Sequence, residues 1–228
     1  MAAMDLLKIS STNLDHLTET YNVGFYMEYL TKWPDLCRVI EGHDGKIEGY
    51  SKHQHSTVPA VSGGWTLICG CGEVLGKVEA SPYTAPVRPY DPDTNPDPNY
   101  LPWHGHITAL TVAPSARRLG HATRLTESLE QQADANNAWF VDLFVRAENK
   151  IAQELYKKMG WVEKNMIFYY LYIAILIEPR YSVYRRVVNY YNDGADAFDM
   201  RKPLSRDKDR KHVRENGENI RVNPKNVW

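Results

Sequence analysis

HITALTVAPSARRLGHATRLTESLEQQADA, residues 106–135, places a strand, a turn and a helix in immediate succession. His106 to Val112 is a short apolar run rich in β-branched residues, ended by Pro114, and reads as a buried strand. Leu119, Ala122, Leu125, Leu129 and Ala133 then step by 3, 3, 4 and 4, the spacing of an amphipathic helix. Between them lies a turn with Arg117 and Arg118. Downstream, Phe140 to Val145 predicts a second strand. Ile151, Ala152, Leu155, Tyr156 and Met159 mark a second helix stopped at Gly160, and Tyr181 to Tyr191 predicts a third strand. Strand, helix, strand, helix, strand within 104–191 predicts an α/β layer architecture with partly parallel neighbouring strands.

Upstream, residues 5–33 predict helix, interrupted at Asn22-Val23-Gly24 and ended at Trp33-Pro34. Cys37 to Ile40 predicts a short strand and His43-Asp44-Gly45 a hairpin turn. Residues 81–102 hold seven prolines and no periodicity, and read as a loop. Residues 201–228 read as a polar, mobile tail beyond a single domain at 1–200.

Composition narrows the function classes. Among 228 residues, 27 Lys and Arg balance 28 Asp and Glu, which argues against a general polyanion binder. Three cysteines cannot build a disulfide framework, and Cys69-Gly-Cys71 has the wrong spacing for a zinc knuckle, so no metal site is expected. The most apolar stretch, residues 166–177, is 12 residues long, against the roughly 20 a spanning helix needs. No basic segment followed by an apolar run opens the sequence.

The turn carries chemistry. Amides at a helix start lack intrahelical acceptors and hold partial positive charge, so they suit a pyrophosphate. Gly120 and Ala122 permit close approach, and Arg117 and Arg118 add charge. The plain alternative is an ordinary strand–turn–helix with surface arginines.

Arg117-Arg118-Leu119-Gly120-His121-Ala122 resembles the R/Q-x-x-G-x-G/A acetyl-coenzyme A motif of the GCN5-related N-acetyltransferase (GNAT) superfamily. Asn149, Ala152 and Tyr156 resemble its second signature. Five blocks, at 13–34, 103–120, 139–160, 181–191 and 196–207, resemble in order the catalytic-subunit family of N-terminal acetyltransferase B complexes. The resemblance implies the GNAT acyl-CoA N-acyltransferase fold, a mixed central sheet with splayed parallel strands (106–112 and 140–145) flanked by helices. It implies transfer of acetyl from acetyl-CoA, without a metal, to the α-amino group of chains starting Met-Asp, Met-Glu, Met-Asn or Met-Gln. An α-amine has a pKa near 8, so the enzyme needs orientation and a modest proton acceptor more than a strong base.

Roles follow from the same resemblance. Leu110, Val112, Arg117, Arg118, Leu119, Gly120, His121, Ala122, Asn149 and Tyr156 would bind the co-substrate. Tyr156 would donate to the leaving thiolate. His106, Thr108 and Ala109 would face the substrate's second residue, with His106 also serving the chemistry; His104 is read as structural. Glu19 and Tyr21 would line one side of the peptide mouth, Tyr190 and Tyr191 the other. Implied partners are a large helical-repeat auxiliary subunit, the ribosome and nascent N-termini, in the cytoplasm, with neither direct DNA binding nor a membrane. A different amine acceptor, or a non-catalytic interaction module, is the alternative, because the acetyl-CoA motif does not set the acceptor.

Three features depart from the family pattern. The strand expected before the first helix is missing, which is read as a misassigned start. Ser51 to Val74, 24 residues, separates Gly49-Tyr50 from Leu75-Gly76-Lys77-Val78, where one strand is expected. Trp161 to Arg180, 20 residues, separates Gly160 from Tyr181. Both are read as translated introns rather than lineage-specific insertions, since insertions favour loop tips over strands.

Overall fold

The periodic residues after the turn fold as expected: helix α2 runs His121–Ala135, with Leu125, Leu129 and Ala133 buried and Arg124, Glu127 and Gln131 exposed. Leu119, expected on that helix, lies before it and is exposed. Asn137, in the left-handed region at φ 59°, ends α2. The Ala138 N–H reaches the Ala133 carbonyl and the Asn137 N–H the Asp134 carbonyl, the paired bonds of a Schellman cap. This computed structural model describes residues 21–41, 47–49, 73–80, 90–94, 100–159 and 180–227. Glu19, the helical reading of 5–20, the hairpin turn at 43–45 and nearly all of both interrupting segments lie outside the described residues.

The chain forms two units, Met1–Lys77 with Ile107–Gln132, and Val78–His106 with Ala133–Trp228. In the first, α1 (Val23–Lys32) starts where the Asn22 side chain accepts from the Phe25 amide at 2.9 Å. It ends where the Trp33 amide returns to the Tyr29 carbonyl. Tyr26 and Tyr29 on one face pack with Cys37, which opens β1 (Cys37–Glu41). β1 pairs antiparallel with β2 (Ile47–Gly49) and with β3 (Glu73–Glu79).

The register of these pairs bears on the first interruption. Facing residues in an antiparallel pair have a constant number sum. For β1 and β3 it is 112, as in Cys37↔Leu75 and Val39↔Glu73. For β1 and β2 it is 88 at Glu41↔Ile47, before a bulge toward Ile40. The difference, 24, equals the length of residues 51–74. Without that segment β2 and β3 would share one register along β1, as two parts of a single strand do.

β4 (His104–Thr111) begins two residues earlier than the sequence predicts, with His104 to His106 in the second unit and Ile107 onward in the first. The second unit continues with β5 (Phe140–Arg146) and α3 (Lys150–Lys158), then β6 (Ser182–Val187), β7 (Ala197–Pro203) and β8 (Arg221–Val222). Their order in the sheet is β5-β7-β6-β8, antiparallel except for the parallel β6–β8 pair, so the sheet is mixed.

Two expectations are corrected here. The strand expected through Tyr191 stops at Val187; Asn189 takes φ 52°, and Tyr190 and Tyr191 stand in the turn that follows. Residues 201–228, expected as a mobile tail, complete β7, supply β8 and bury Asp207, His212 and Val227. Asp207 accepts from the amides of Lys211 and His212, and the His212 ring meets the Tyr90 hydroxyl at 2.9 Å. Val227 packs with Val187 and Ala197. Polar side chains made this stretch look solvated; in the fold they are spent on hydrogen bonds within it.

Candidate active site

The turn after β4 begins with a single 3-10 turn, Pro114–Ala116, after which Arg117 Nε donates to the Val112 carbonyl at 3.1 Å. Arg118 and Gly120 both take left-handed backbone, φ 66° and 80°. Residues 117–120 are exposed. A Cβ on Gly120 would meet no heavy atom within 4 Å. Glycine is therefore demanded by the φ angle, which side chains tolerate poorly, while the space before it stays open. The first helical bond, Arg124 N–H to the Gly120 carbonyl, leaves the amides of His121, Ala122 and Thr123 without intrahelical acceptors. Amides placed in this way can hold an anion. The His121 imidazole is buried with neither ring nitrogen hydrogen-bonded, and burial, reinforced by Arg124, holds it below the ordinary histidine range. Its backbone amide, not its ring, is what it offers an anion.

In the first unit, Thr108 Oγ1 lies 2.9 Å from the Tyr29 hydroxyl, and Ala109 packs against the Tyr26, Tyr29 and Cys37 cluster. Tyr21 stacks on Phe25 with centroids 4.1 Å apart. The structure thus brings Tyr21, Thr108 and Ala109 to the same α1 face. Leu110 and Val112 are half-buried on and just after β4.

In the second unit, His104 and His106 meet Asp142 of β5. Asp142 Oδ1 is 2.7 Å from His106 Nδ1 and 3.7 Å from His104 Nε2. His104 Nδ1 lies 2.7 Å from the Pro102 carbonyl, which can only accept, so that nitrogen carries the proton. Burial opposes charge on Asp142. The charges of His104, His106 and Arg201 and the His106 hydrogen bond outweigh it, and hold the carboxyl well below the usual range. A charged carboxylate accepts, so His106 Nδ1 also carries its proton. Glu79, His104 and His106 offer donor atoms within 4.8 Å of one another, the one such grouping among the described residues; His104 spends Nδ1 on the Pro102 carbonyl and His106 spends Nδ1 on Asp142.

Phe144 joins further candidate residues within the second unit. It lies 5.7 Å from the His106 ring and stacks on Tyr190 at 4.7 Å; Tyr191 meets Tyr190 edge-on at 5.1 Å. Arg146, paired with Asp193 at 2.7 Å, places its guanidinium 4.1 Å from the Tyr191 ring. His106, Tyr190 and Tyr191 are therefore gathered, while Tyr156 packs elsewhere, 5.6 Å from Tyr181. Burial pushes the Tyr156 phenol well above the ordinary tyrosine range, so it keeps a proton to give. Asn149 acts as N-cap of α3, its side chain accepting from the Ala152 amide at 3.1 Å.

Asp142, Phe144 and Tyr29 were missed by the sequence reading. One signal was available for Asp142: a lone carboxylate inside the apolar strand FVDLFV must have partners if that strand is buried.

Burial holds His104 below the ordinary histidine range, with Asp142 opposing, and gives a pH prediction. The unfolded chain takes up a proton near pH 6.5 that the folded site resists, so stability is full above that value and falls below it. Urea unfolding should show stability falling as pH drops from 6.5 toward 5 and flat above that, with a slope from this residue no steeper than ~1.4 kcal/mol per pH unit, and His121 adding in the same direction. A midpoint flat across that window would contradict it.

Residues 14–161 match the acetyltransferase (GNAT) family model. The catalytic subunit naa20 of the N-terminal acetyltransferase B complex of Schizosaccharomyces pombe is 39% identical over 231 residues, covering 99% of this chain and 94% of that one. The crystal structure of Chaetomium thermophilum Naa20 in complex with a bisubstrate analogue is 41% identical, with TM-score 0.74, over 100% of this chain and 97% of that one. A NatB acetyltransferase complex bound to CoA and MES is 31% identical, TM-score 0.57, over 90% and 96%. Among the described residues no helix is long and apolar enough to cross a membrane. The mixed sheet flanked by helices and this likeness along nearly the whole length agree: the chain belongs to the GNAT acetyltransferase family, among the catalytic subunits of N-terminal acetyltransferase B complexes.

Proposed function

We propose that this acetyltransferase moves acetyl from acetyl-CoA to the α-amine of proteins beginning Met-Asp, Met-Glu, Met-Asn or Met-Gln. The observation that carries the reading is the open, left-handed turn at Gly120 leading into the unpaired amides of α2. It suits the diphosphate of the co-substrate, with Arg117 and Arg118 adding charge. The main chain near Leu110 and Val112 holds the thioester arm, and Asn149 is a further co-substrate-binding residue.

The free α-amine attacks the thioester carbonyl, a C–N bond forms, and the C–S bond breaks. The amine's proton leaves to His106, directly or through water, and Tyr156 gives its phenol proton to the departing thiolate. Thr108 and Ala109 meet the second side chain, an acid or amide, beside the His106 ring; Glu19, Tyr21, Tyr190 and Tyr191 hold the first residues. The enzyme works in the cytoplasm with a large helical-repeat auxiliary subunit, on nascent chains at the ribosome.

Co-expression with that subunit, followed by a peptide acetylation assay, tests the reading. Met-Asp, Met-Glu, Met-Asn and Met-Gln peptides should exceed Ser- and Ala-starting ones by at least about tenfold in kcat/KM, the scale on which lost polar contacts discriminate. Equal rates on all would indicate another acceptor, and acetyl-CoA binding without turnover an interaction module.

A further inference from the structure

We infer that Asp142 is a positioning residue for acetyl transfer: its carboxylate fixes the tautomer and ring plane of His106, so that the lone pair which receives the amine's proton sits on Nε2. This rests on the reading above that His106 lies in the peptide site. Asp142 is 1% exposed in the middle of β5, flanked by Val141 and Leu143, a position where an ionised carboxylate persists only if it is hydrogen-bonded and paired. Its Oδ1 accepts a hydrogen bond from the His106 Nδ1–H at 2.7 Å. His104 does not compete for that oxygen. Its Nδ1–H is committed to the Pro102 carbonyl, its Nε2 stands 3.7 Å from Oδ1, and Phe140 stacks on its ring at 5.0 Å. The carboxylate therefore serves His106, while Phe144 borders that ring at 5.7 Å.

The proton balance gives the arrangement its purpose. As the amine adds to the carbonyl, its nitrogen must lose a proton; Nε2 takes it, and the imidazolium formed keeps its Nδ1–H on the Asp142 carboxylate. The positive charge is thus created against a fixed negative one, which lowers the cost of that step. The imidazolium then returns its proton to solvent. An imidazole with the opposite tautomer would present an N–H to the amine and could not accept.

The test is a double-mutant cycle on the full chain with its auxiliary subunit, using a Met-Asp peptide and acetyl-CoA. Asp142→Asn should lower kcat about 10- to 30-fold, within the range of a lost proton acceptor, with both KM values within about twofold. His106→Ala should lower kcat at least as much. In the His106→Ala background Asp142→Asn should then change kcat by less than about twofold, because its only route is gone. If the two losses multiply, or if Asp142→Asn leaves kcat intact, Asp142 does not act through His106. If His106→Ala alone leaves kcat on the Met-Asp peptide unchanged, the placement of His106 fails first and takes this inference with it. Asp142→Ala carries the same cycle should the Asn variant not fold.

Discussion

Asp199→Ala is expected to lower the melting temperature by about 6–20 °C. Asp199 sits fully buried on β7, opposite Phe144 of β5. Its Oδ2 accepts from Arg185 Nε at 2.8 Å and from Arg201 Nη2 at 3.0 Å, and its Oδ1 from Arg201 Nε at 3.1 Å. Arg185 also donates to the Val227 carbonyl at 3.1 Å, so this carboxylate helps tie the last residues to β6. Arg201, 3% exposed, lies 3.6 Å over Tyr184 and 4.6 Å over Phe140. Removing Asp199 leaves that guanidinium buried without its counter-charge, which costs about 3–5 kcal/mol. Such a loss is a large share of the roughly 5–15 kcal/mol that holds a domain together. At ~2–4 °C per kcal/mol for a chain of this size, the shift is read directly by calorimetry. Lys32→Ala, which removes an exposed pair with Glu28, should leave the midpoint in place. A shift under about 2 °C for Asp199→Ala would mean that Arg201 finds water or another partner, and the network would not be what fastens the C-terminal segment.

The same network explains what the sequence concealed. Leu125, Leu129 and Ala133 announced α2 because their burial follows from one helical stripe. β4 and β5 were legible because apolar runs ended at Pro114 and Arg146. β7 was not legible. Its Phe198 and Met200 alternate with Asp199 and Arg201, the pattern of a strand with one wet face, yet both faces are buried and the charges neutralise each other. Nothing local in the sequence says that Arg201 will find Asp199 and two aromatic rings. Polar residues 204–227 were misread for the same reason. Tyr190 and Tyr191 have strand propensity, but Asn189 with its left-handed backbone and the Asp193-Gly194 turn override it. In the candidate site, the turn at Gly120 could be read from residue types, because a glycine between an apolar strand and a helical stripe marks a tight turn locally. The pairing of His106 with Asp142 spans 36 positions and two strands, and only the fold brings it about.

Gly120→Val should raise the KM for acetyl-CoA by about 30- to 100-fold while costing little stability. The two effects separate because of what surrounds the residue. No heavy atom lies within 4 Å of the added Cβ, so the protein itself pays only for a branched residue at φ 80°, about 1–2 kcal/mol. A diphosphate held by the amides of His121 to Thr123 must come close to that backbone, and a branched side chain would stand between them. Losing two or three charge-assisted hydrogen bonds, each ~1.5–3 kcal/mol, is ample for the expected rise. Gly194→Val supplies the control. Gly194 has φ 82° and equally open surroundings, with only Asn189 Oδ1 at 4.0 Å, so it incurs the same backbone strain in the Tyr191 turn. Its melting temperature should fall as Gly120→Val's does, with the acetyl-CoA KM unmoved. Were both variants to leave that KM unchanged, the co-substrate's phosphates would have to be held somewhere other than the start of α2. Were both to raise it alike, strain rather than contact would be the cause. Only a rise confined to Gly120→Val ties the left-handed turn to the diphosphate.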